Sequence, residues 1–457
     1  MSTIKLPPVV PNNVFQLMSQ EPHARHFYEY INLVAPTDAQ GRYLHFDQLR
    51  RRFPSHLDPA ICWGVIKFER TRLYQKILPI GRPQVWCNFV LTPTTQRVLS
   101  TVDRYASTAA LEYMGGKVGK AAQINYLLND LIEDEAISSS QLEGAVTTTL
   151  VAKDMLKRER QPRTPDEKMI IGNYRMMRFA WEKRHEPLSV ALIAEMHESG
   201  VAGIDDAKYS PGVFRVNDDV VVQDGDGHVV HSPPPAEGIV ERLETLAGWI
   251  NTCHDDAATG DYVHPLIKSI SLHFALGYEH PFRDGNGRVA RALFYWFMFK
   301  SDYAAFRYIS ISVLLKNAAV QYGKSYLYTE TDELDLTYFI DYQCSIVQRA
   351  VDGFKASYER TLRDGETFER WLWDSGLYKA LNEKQRTVFQ VAKSGTAKQF
   401  TAVNVKENLG CSYNTASAVL NGLVDLNIFI KKKQGREWVF SMRDQAELQK
   451  NWVCITR

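Results

Sequence analysis

The sequence predicts a mainly α-helical protein that contains two short β-hairpins. In the middle of the chain, apolar residues recur at helical spacing over 121–132, 168–181, 189–196, 237–250 and 266–278. Between the third and fourth of these segments, residues 214–231 mix valines with polar residues around a Gly-rich turn, which predicts a hairpin. Near the C-terminus, three short helical segments precede a second hairpin pattern.

The composition is that of an ordinary soluble protein with more than one domain. The chain has 457 residues, 45% hydrophobic and 23% charged, and its formal net charge of +1 favours neither nucleic acid nor membrane as a partner. The first ten residues lack the pattern of a signal peptide, and the most apolar run, 292–299, is too short to span a bilayer. Six scattered cysteines, without CxxC pairs or histidine clustering, predict reduced thiols and no structural zinc site. We therefore expect a cytoplasmic protein.

The chain divides into four predicted parts. Residues 1–95 are a mixed region in which 43–50 and 62–68 predict helices and 89–93 predicts a short strand. Its basic cluster at 50–52 is typical of a solvated face, with a binding role as the alternative. The remaining parts are a helical domain over 96–350, a charged, Trp-rich helical connector over 351–380, and a small module over 381–445.

The most informative stretch is HPFRDGNGRVAR at 280–291, which lies between two apolar helical segments. A residue that precedes proline is kept out of the helical region, so His280 should end the first helix. Gly285 and Gly287 allow successive N–H groups to converge on an anion. The second helix then begins with its positive dipole end directed at the same place.

Each remaining polar residue of this stretch suits phosphate chemistry. Arg288 and Arg291 share one helix face, as a di- or triphosphate ligand requires. Asp284 could hold Mg²⁺ between phosphate oxygens, and His280 could act as the base for an attacking hydroxyl. The alternative is a helix–loop–helix corner, capped by Asp and Gly, with two solvated arginines.

The stretch also resembles the signature of Fic-domain proteins, HxFx(D/E)GNGRxxR, at every specified position. This resemblance implies a Fic-type helical core and a protein adenylyltransferase, which transfers AMP from ATP to a Tyr, Thr or Ser hydroxyl of a protein. It implies that ATP and Mg²⁺ bind at the corner. The implied roles are His280 as base, Asp284 as Mg²⁺ ligand, Asn286 with the Gly285 and Gly287 backbone as cradle of the α- and β-phosphates, Arg288 on the β-phosphate, and Arg291 on the γ-phosphate.

Two further features follow from the resemblance. The hairpin at 214–231 corresponds to the flap of Fic proteins, whose exposed edge could take the target segment as an added strand. Aromatic residues between 320 and 346 are mostly core, but one of them often lines the adenine pocket in the family, and Tyr326 is our choice. His264 and His273 are expected to pack.

A second motif precedes the signature. From composition alone, 138–144 is a polar helix edge, but Ser139, Glu143 and Gly144 match the family's inhibitory motif, (S/T)xxxE(G/N). A bidentate pair between Glu143 and Arg291 would take the place of the ATP γ-phosphate and turn the α-phosphate away from the line of attack. The resemblance therefore implies inhibition built into the same chain.

The C-terminal module has the element order of a winged helix-turn-helix. Residues 382–392 predict a first helix, Thr401 caps a second that Gly410 stops, and Ser412 caps a third. A hairpin with a basic turn at 431–436 follows, and residues 412–436 could contact DNA with the third helix in the major groove. Tyr413, Asn414 and Ser417 on that helix support DNA binding, with protein binding or dimerisation as the alternative.

The alternatives to adenylyl transfer stay open at this point. Some Fic relatives transfer other groups, although this signature has no departures from the pattern. Glu143 could instead position water to remove AMP, which would give a bifunctional or mainly de-AMPylating enzyme. The chain could also be a winged-helix DNA-binding regulator whose Fic domain senses nucleotide. We expect a homodimer, possible self-modification, and a hydroxyl-bearing protein target that the sequence does not name.

Overall fold

The computed structural model describes residues 4–11, 13–118, 133–157, 160–204, 209–223, 227–256, 261–393, 397–434 and 437–452. These residues are mainly helical, with small two-stranded antiparallel sheets, which confirms the predicted fold class. The chain forms two compact units. The first comprises Met1–Thr108 and Asp130–Asp352, and the second comprises Ala109–Asn129 and Gly353–Arg457.

The helices range from a single turn to the 38 residues of the longest. In chain order they are α1 Val14–Met18, α2 Phe27–Ile31, α3 Phe46–Leu49, α4 Pro59–Leu73, α5 Pro93–Tyr105, α6 Thr108–Val118, α7 over residues 133–142, α8 Thr149–Lys157, α9 Pro165–Glu182, α10 Val190–Val201, α11 Ile239–Asn251, α12 Pro265–Glu279, α13 Asn286–Lys300, α14 Ser312–Lys316, α15 Ala319–Thr331, α16 Thr337–Asp374, α17 Leu377–Ala380, α18 Glu383–Lys393, α19 Ala402–Leu409, α20 Tyr413–Asp425 and α21 Gln445–Asn451. Short 3₁₀ turns lie at Ala24–His26 and Ala304–Tyr308. Four of the predicted helical segments lie within α9 to α12, whereas 121–132 falls outside the described residues.

The strands pair within hairpins. They are β1 Gln75–Ile80 with β2 Val85–Phe89, β3 Val222–Gln223 with β4 Val229–His231, β5 Asp255–Asp256 with β6 Asp261–Tyr262, and β7 Phe429–Gln434 with β8 Glu437–Met442. The hairpin predicted over 214–231 is confirmed as β3–β4, although its strands are shorter and turn residues 224–226 lie outside the described residues. The strand predicted at 89–93 is wrong beyond Phe89, because Thr92 accepts a hydrogen bond from the Thr95 N–H and caps α5.

Helices α12 and α13 form the centre of the first unit. Both are buried along almost their whole length because they are apolar on nearly every face. Helices α9 and α10 pack against α13, and Ser189 caps α10 by accepting a hydrogen bond from the Leu192 N–H. The corner between α12 and α13 holds residues 280–285, and the surrounding helices keep it fixed.

Residues 1–95 belong to the same compact unit as most of the helical domain, and the predicted boundary at 95 stays a prediction. A buried polar network joins them: Tyr43 donates to Asp335 at 2.6 Å, and Lys67 lies 2.7 Å from Asp332. Arg70, only 1% exposed, donates to the Tyr338 hydroxyl at 2.7 Å. These partners lie more than 250 residues apart in sequence, so local patterns could not reveal them. Helix α3 is also shorter than the helix predicted at 43–50.

The second unit contains the elements predicted for 381–445. Thr401 and Ser412 cap α19 and α20, and Gly410 ends α19 in the left-handed region with φ 58°. Strands β7 and β8 follow, with residues 435 and 436 of the basic turn, including Arg436, outside the described residues. The winged helix-turn-helix remains our interpretation of this order. Across the described ranges, every helix is too short or too polar to cross a membrane.

Candidate active site

The corner between α12 and α13 has an unusual backbone at both of its ends. His280 ends α12 in the left-handed region with φ 46°, and Gly285 precedes α13 with φ 83°. The Asn286 side chain closes the loop between them. Its Oδ1 accepts from the Phe282 N–H at 2.9 Å, and its Nδ2 donates to the Phe282 carbonyl at 2.8 Å. The side chain of Asn286 therefore holds the loop, and its predicted place on the phosphates stays a prediction.

His280 is a neutral imidazole with a defined tautomer. Burial lowers the pKa of His280 to about 4, so the ring is uncharged at pH 7. Its Nδ1 lies 3.3 Å from the Gly277 carbonyl oxygen, which can only accept a hydrogen bond. The proton therefore resides on Nδ1, and Nε2 keeps its lone pair.

Arg215 fixes the backbone around His280. Its side chain is buried, and Nε donates to the His280 carbonyl at 2.9 Å while Nη2 reaches the carbonyls of Glu279 and Pro234. The Arg215 N–H also donates to the Pro281 carbonyl at 2.8 Å. One side chain thus stabilises the strained end of α12.

His197 supports the other side of the loop from α10. Its ring stacks on Phe282 with centroids 3.8 Å apart, and its Nε2 donates to the Asp284 carbonyl at 3.1 Å. Its Nδ1 accepts from the Gly212 N–H at 3.1 Å. Burial lowers the pKa of His197 to about 4, so the ring is neutral like that of His280. Phe282 is fully buried, so its role in the loop is structural.

Arg288 is a buried cation in need of an anion. The residue is 0% exposed, and none of its three guanidinium nitrogens has a hydrogen-bond partner among the described residues. Its guanidinium carbon lies 5.3 Å from the centre of the Tyr209 ring. A buried charge without hydrogen bonds is costly unless a ligand satisfies it. The N-terminus of α13 supplies further N–H groups beside it.

Arg291 has partners from α7 and the turn that follows it. Its Nε donates to the Ser139 hydroxyl at 2.8 Å, and its Nη2 donates to Glu143 Oε1 at 2.6 Å. The predicted pair between Glu143 and Arg291 is present, but one hydrogen bond joins it instead of the two predicted, and Nη1 of Arg291 has no hydrogen-bond partner among the described residues. A Cβ on Gly287 would lie 2.2 Å from Glu143 Oε1, so the carboxylate rests against the bare α-carbon of Gly287.

Helix α7 is held in place by a carboxylate that the sequence analysis did not single out. Glu135 is 2% exposed and accepts from the Ser310 hydroxyl at 2.7 Å, the Ser312 N–H at 3.0 Å and the Ser312 hydroxyl. Gly144 ends the motif with φ 99°. The position of Glu143 therefore depends on contacts two helical turns away from it.

The Asp284 carboxylate is half-buried and lies just before the N-terminus of α13. Its Oδ1 accepts from the Gly285 N–H at 2.6 Å, which orients the group beside the first turn of α13. Carboxylate oxygen is the donor type that Mg²⁺ prefers in nucleotide sites, so the residue present fits the predicted ion.

Comparison with known proteins identifies this region. Residues 187–298, which include the corner, match the Fic/DOC family. The chain carries a Fic domain. It is similar to the protein adenylyltransferase fic-1 of Caenorhabditis elegans, with 24% identity over 240 residues that cover 51% of this chain and 42% of that protein. A probable protein adenylyltransferase of Aquifex aeolicus is 28% identical over 184 residues, which cover 38% of this chain and 50% of that protein. The chain thus spans half or less of the length of these relatives.

Solved structures of Fic proteins are also similar. A Fic family protein of Desulfovibrio desulfuricans G20 is 15% identical, with a TM-score of 0.48 over 78% of this chain and 97% of that one. Fic-1 of C. elegans is 21% identical, with a TM-score of 0.41 over 60% of this chain and 75% of that one.

The β3–β4 hairpin is attached to the helix that leads to the corner. His231 is the last residue of β4. Its Nδ1 lies 2.7 Å from Glu330 Oε2, and its Nε2 lies 2.8 Å from the Tyr278 carbonyl oxygen. Burial lowers the pKa of His231, but the two acceptors outweigh it, and the pKa lies above its usual value. A charged His231 can donate to both partners at once, whereas a neutral ring can donate to only one.

The predicted aromatic and histidine positions lie close by. Tyr326 stacks on Phe274 with centroids 5.3 Å apart, and a Cβ on Gly277 would lie 2.6 Å from its hydroxyl. Its place in an adenine pocket stays a prediction. His273 bonds the Tyr322 hydroxyl at 2.8 Å, and His264 caps α12 from its buried ring.

The sequence analysis missed three side chains that shape the Fic domain: His197, Glu135 and Glu330. Each contacts residues between 87 and 177 positions away in the chain, so no local motif contains both partners. A buried polar residue inside an apolar helix, as His197 is in α10, is the one signal that could have found the first of them.

Proposed function

We propose that this protein transfers AMP from ATP to a Tyr, Thr or Ser hydroxyl of a protein target. The observation that carries the proposal is the buried Arg288 guanidinium, which lies on the same helix face as Arg291 and within one turn of the Asp284 carboxylate. The names of the relatives, protein adenylyltransferases, support the same reaction.

In the proposed mechanism, His280 Nε2 takes the proton of the target hydroxyl. The hydroxyl oxygen attacks the α-phosphorus of ATP, the bond to the β-phosphate oxygen breaks, and pyrophosphate leaves. A base with a pKa near 4 is weak, but the negative charge of bound ATP raises the pKa of a neighbouring imidazole and stabilises the imidazolium that forms. Arg215 and Gly277 keep the ring oriented through the transfer.

The phosphates would bind at the N-terminus of α13. Arg288 would neutralise the β-phosphate and Arg291 the γ-phosphate, while the Gly285 to Gly287 backbone supports the α- and β-phosphates. Asp284 would hold Mg²⁺, whose charge neutralises phosphate oxygens when it is bound. Positioning and charge stabilisation supply most of the rate in this class of reaction.

The Glu143 contact supports inhibition by the chain itself. Its carboxylate occupies Arg291 and lies against Gly287, where it repels a phosphate and removes the γ-phosphate partner. ATP that binds beside it would have its α-phosphate misplaced for attack. Release of Glu143 would restore the productive position.

The test compares Glu143→Gly with the double variant Glu143→Gly, His280→Ala, each incubated with α-labelled ATP and a cell lysate. We expect proteins with an AMP mass shift from the single variant, at several-fold the wild-type level, and none from the double variant, although both bind ATP. Labelling by the double variant would remove His280 as the base. Equal labelling by wild type and Glu143→Gly would end the inhibition proposal, and loss of preformed AMP only with Glu143 present would favour the de-AMPylating alternative.

DNA binding by the second unit is the other candidate function. Lys432 and Lys433 are exposed on β7, Tyr413 is 54% exposed at the start of α20, and Lys431 donates to Asn421 of α20 at 2.9 Å. This places positive charge along the element that would contact the DNA backbone in a winged helix-turn-helix. An electrophoretic shift with the DNA upstream of its own gene tests it.

A further inference from the structure

Two histidines and a glutamate meet in the N-terminal part of the first unit. His26 lies at the end of a 3₁₀ turn, Glu29 lies in α2, and His56 lies in the loop before α4. His26 Nδ1 is 2.7 Å from Glu29 Oε1, and His56 Nε2 is 2.7 Å from Glu29 Oε2. One ligand atom from each residue falls within 4.8 Å of the other two.

The chemistry of this group is that of a transition-metal site. Two imidazole nitrogens and one carboxylate suit Zn²⁺, Co²⁺, Ni²⁺ or Cu²⁺, whereas Mg²⁺ and Ca²⁺ prefer oxygen ligands alone. Zn–N and Zn–O bonds are about 2.0–2.2 Å long, so small side-chain rotations convert the two hydrogen bonds into bonds to one ion. The hydrogen bonds from His26 and His56 keep the pKa of Glu29 below its usual value, so the carboxylate is ionised as a ligand must be.

The backbone around the three residues is already fixed. The Tyr30 hydroxyl, on fully buried Tyr30, accepts from the Asp58 N–H at 2.9 Å and ties α2 to the loop that carries His56. The imidazole rings of His26 and His56 lie with centroids 4.7 Å apart. The three side chains are 25%, 46% and 49% exposed, so an ion can enter and water can complete its coordination.

We propose that His26, Glu29 and His56 bind one divalent first-row transition-metal ion, either Zn²⁺ or Co²⁺. The bound ion would link α2 to the loop before α4. The scattered cysteines, without CxxC pairs or histidine clustering, predicted no structural zinc site. His26 and His56 lie 30 residues apart in the sequence and form no local motif. The site is independent of the proposed transfer reaction.

The test uses the full chain with excess Mg²⁺, so that Mg²⁺ occupies carboxylate sites such as Asp284. Titration with Co²⁺, followed by visible absorbance, should show one ion per chain with imidazole coordination, and Zn²⁺ should displace it. Zn²⁺ should also raise the thermal midpoint of the protein.

Three variants decide the assignment. His26→Gln with His56→Gln should lower Co²⁺ affinity by about tenfold or more, and Glu29→Gln, which keeps the shape of the carboxylate, should do so too. His185→Gln, an exposed histidine of the same unit, is the matched control and should leave the affinity unchanged. Circular dichroism checks that each variant is folded. Equal Co²⁺ affinity in wild type and the double variant, or no thermal shift with Zn²⁺, overturns the site.

Discussion

Two arginines on one turn of α13 have opposite surroundings. Arg288 is buried with no hydrogen-bond partner among the described residues, whereas Arg291 contacts Ser139 and Glu143. The difference follows from α7, which reaches the second arginine and not the first. On the proposed function, Arg288 awaits the substrate, and Arg291 must first lose an internal anion.

Replacement of each arginine should therefore have a distinct effect on nucleotide binding. In the Glu143→Gly background, Arg291→Ala should weaken ATP binding by more than tenfold and ADP binding little, since a hydrogen bond to a charged group contributes about 1.5–3 kcal/mol. Arg288→Ala should weaken both nucleotides to a similar degree. Isothermal titration calorimetry measures the four affinities. Equal losses of ATP and ADP affinity in Arg291→Ala would exclude its γ-phosphate role.

The residue scale also shows how far a motif can predict a site. The spacing in the sequence was enough to place His280, Asp284 and Arg288 at one corner, because all three lie within nine residues at the junction of two helices. The tautomer of His280 depends on Gly277 in the preceding helical turn, and its backbone depends on Arg215, 65 residues earlier. The two hydrogen bonds between the Asn286 side chain and the Phe282 backbone were likewise not predictable from the motif. Long-range hydrogen bonds leave no periodic trace in a sequence.

At the scale of elements, two sets of contacts position the described part of α7. Ser139 contacts Arg291 near the end of the helix, and Glu135, one turn earlier, accepts three hydrogen bonds. A buried carboxylate satisfied in this way sets the position of everything on the same helix. The contact with Arg291, which inhibits on the proposed function, and the contacts that position the helix are therefore separate.

Glu135→Gln should raise transfer activity without touching Arg291. Loss of the charge removes hydrogen bonds worth about 1–3 kcal/mol, which shifts the balance between the held and released helix by about 5- to 150-fold. Auto-modification with labelled ATP measures the effect. The double variant Glu135→Gln, Glu143→Gly should show no further increase in auto-modification over Glu143→Gly alone. If the effects of the two substitutions were additive, the two residues would act separately.

The β3–β4 hairpin, the predicted flap, is a second element whose position depends on one side chain. The ion pair of His231 with Glu330 and its bond to the Tyr278 carbonyl attach β4 to α15 and α12, and Glu279 adds negative charge nearby. Because the folded-state pKa is raised, this attachment is fully present below the ordinary histidine pKa of about 6.5. It is lost as the pH rises through the folded-state value.

Transfer to a protein target should therefore decline on the alkaline side with the titration of His231. His231→Gln should lower target labelling several-fold at pH 6 and remove that limb of the pH profile, while ATP binding stays unchanged. Profiles of labelling rate between pH 6 and pH 9 measure it. A variant that keeps the wild-type alkaline limb would assign the titration to another group.

At the scale of the whole molecule, the chain consists of two compact units with separate cores. Helix caps at Ser189, Thr401 and Ser412 were predictable because a cap and its helix are neighbours in sequence. The packing of residues 1–95 against the helical domain was not predictable, since it depends on hydrogen bonds from Tyr43 and Arg70 to partners far away in the sequence. Local sequence patterns therefore predict individual helices and strands, whereas long-range pairs of buried polar residues determine which elements pack together.

If the second unit binds DNA, its wing lysines should set the salt dependence. Replacement of Lys431, Lys432 and Lys433 by Gln should lower the affinity and reduce the slope of log affinity against log salt by about one per lysine. Lys450→Gln, an exposed position on α21, is the control and should leave the slope unchanged. Fluorescence anisotropy at several salt concentrations measures it, and a wild-type unit without measurable affinity would exclude the DNA role.

The Glu143 carboxylate rests against the bare α-carbon of Gly287, so on the proposed function it competes with ATP from within the same chain. A group held on the same chain as its site competes at an effective concentration that dilution does not change. The resting state should therefore be the same at every protein concentration, unlike inhibition by a separate partner. Since the space beside Gly287 accommodates the carboxylate or a phosphate but not both, we expect productive occupancy to rise with the concentration of free ATP. The output of the enzyme would then follow the nucleotide supply of the cell.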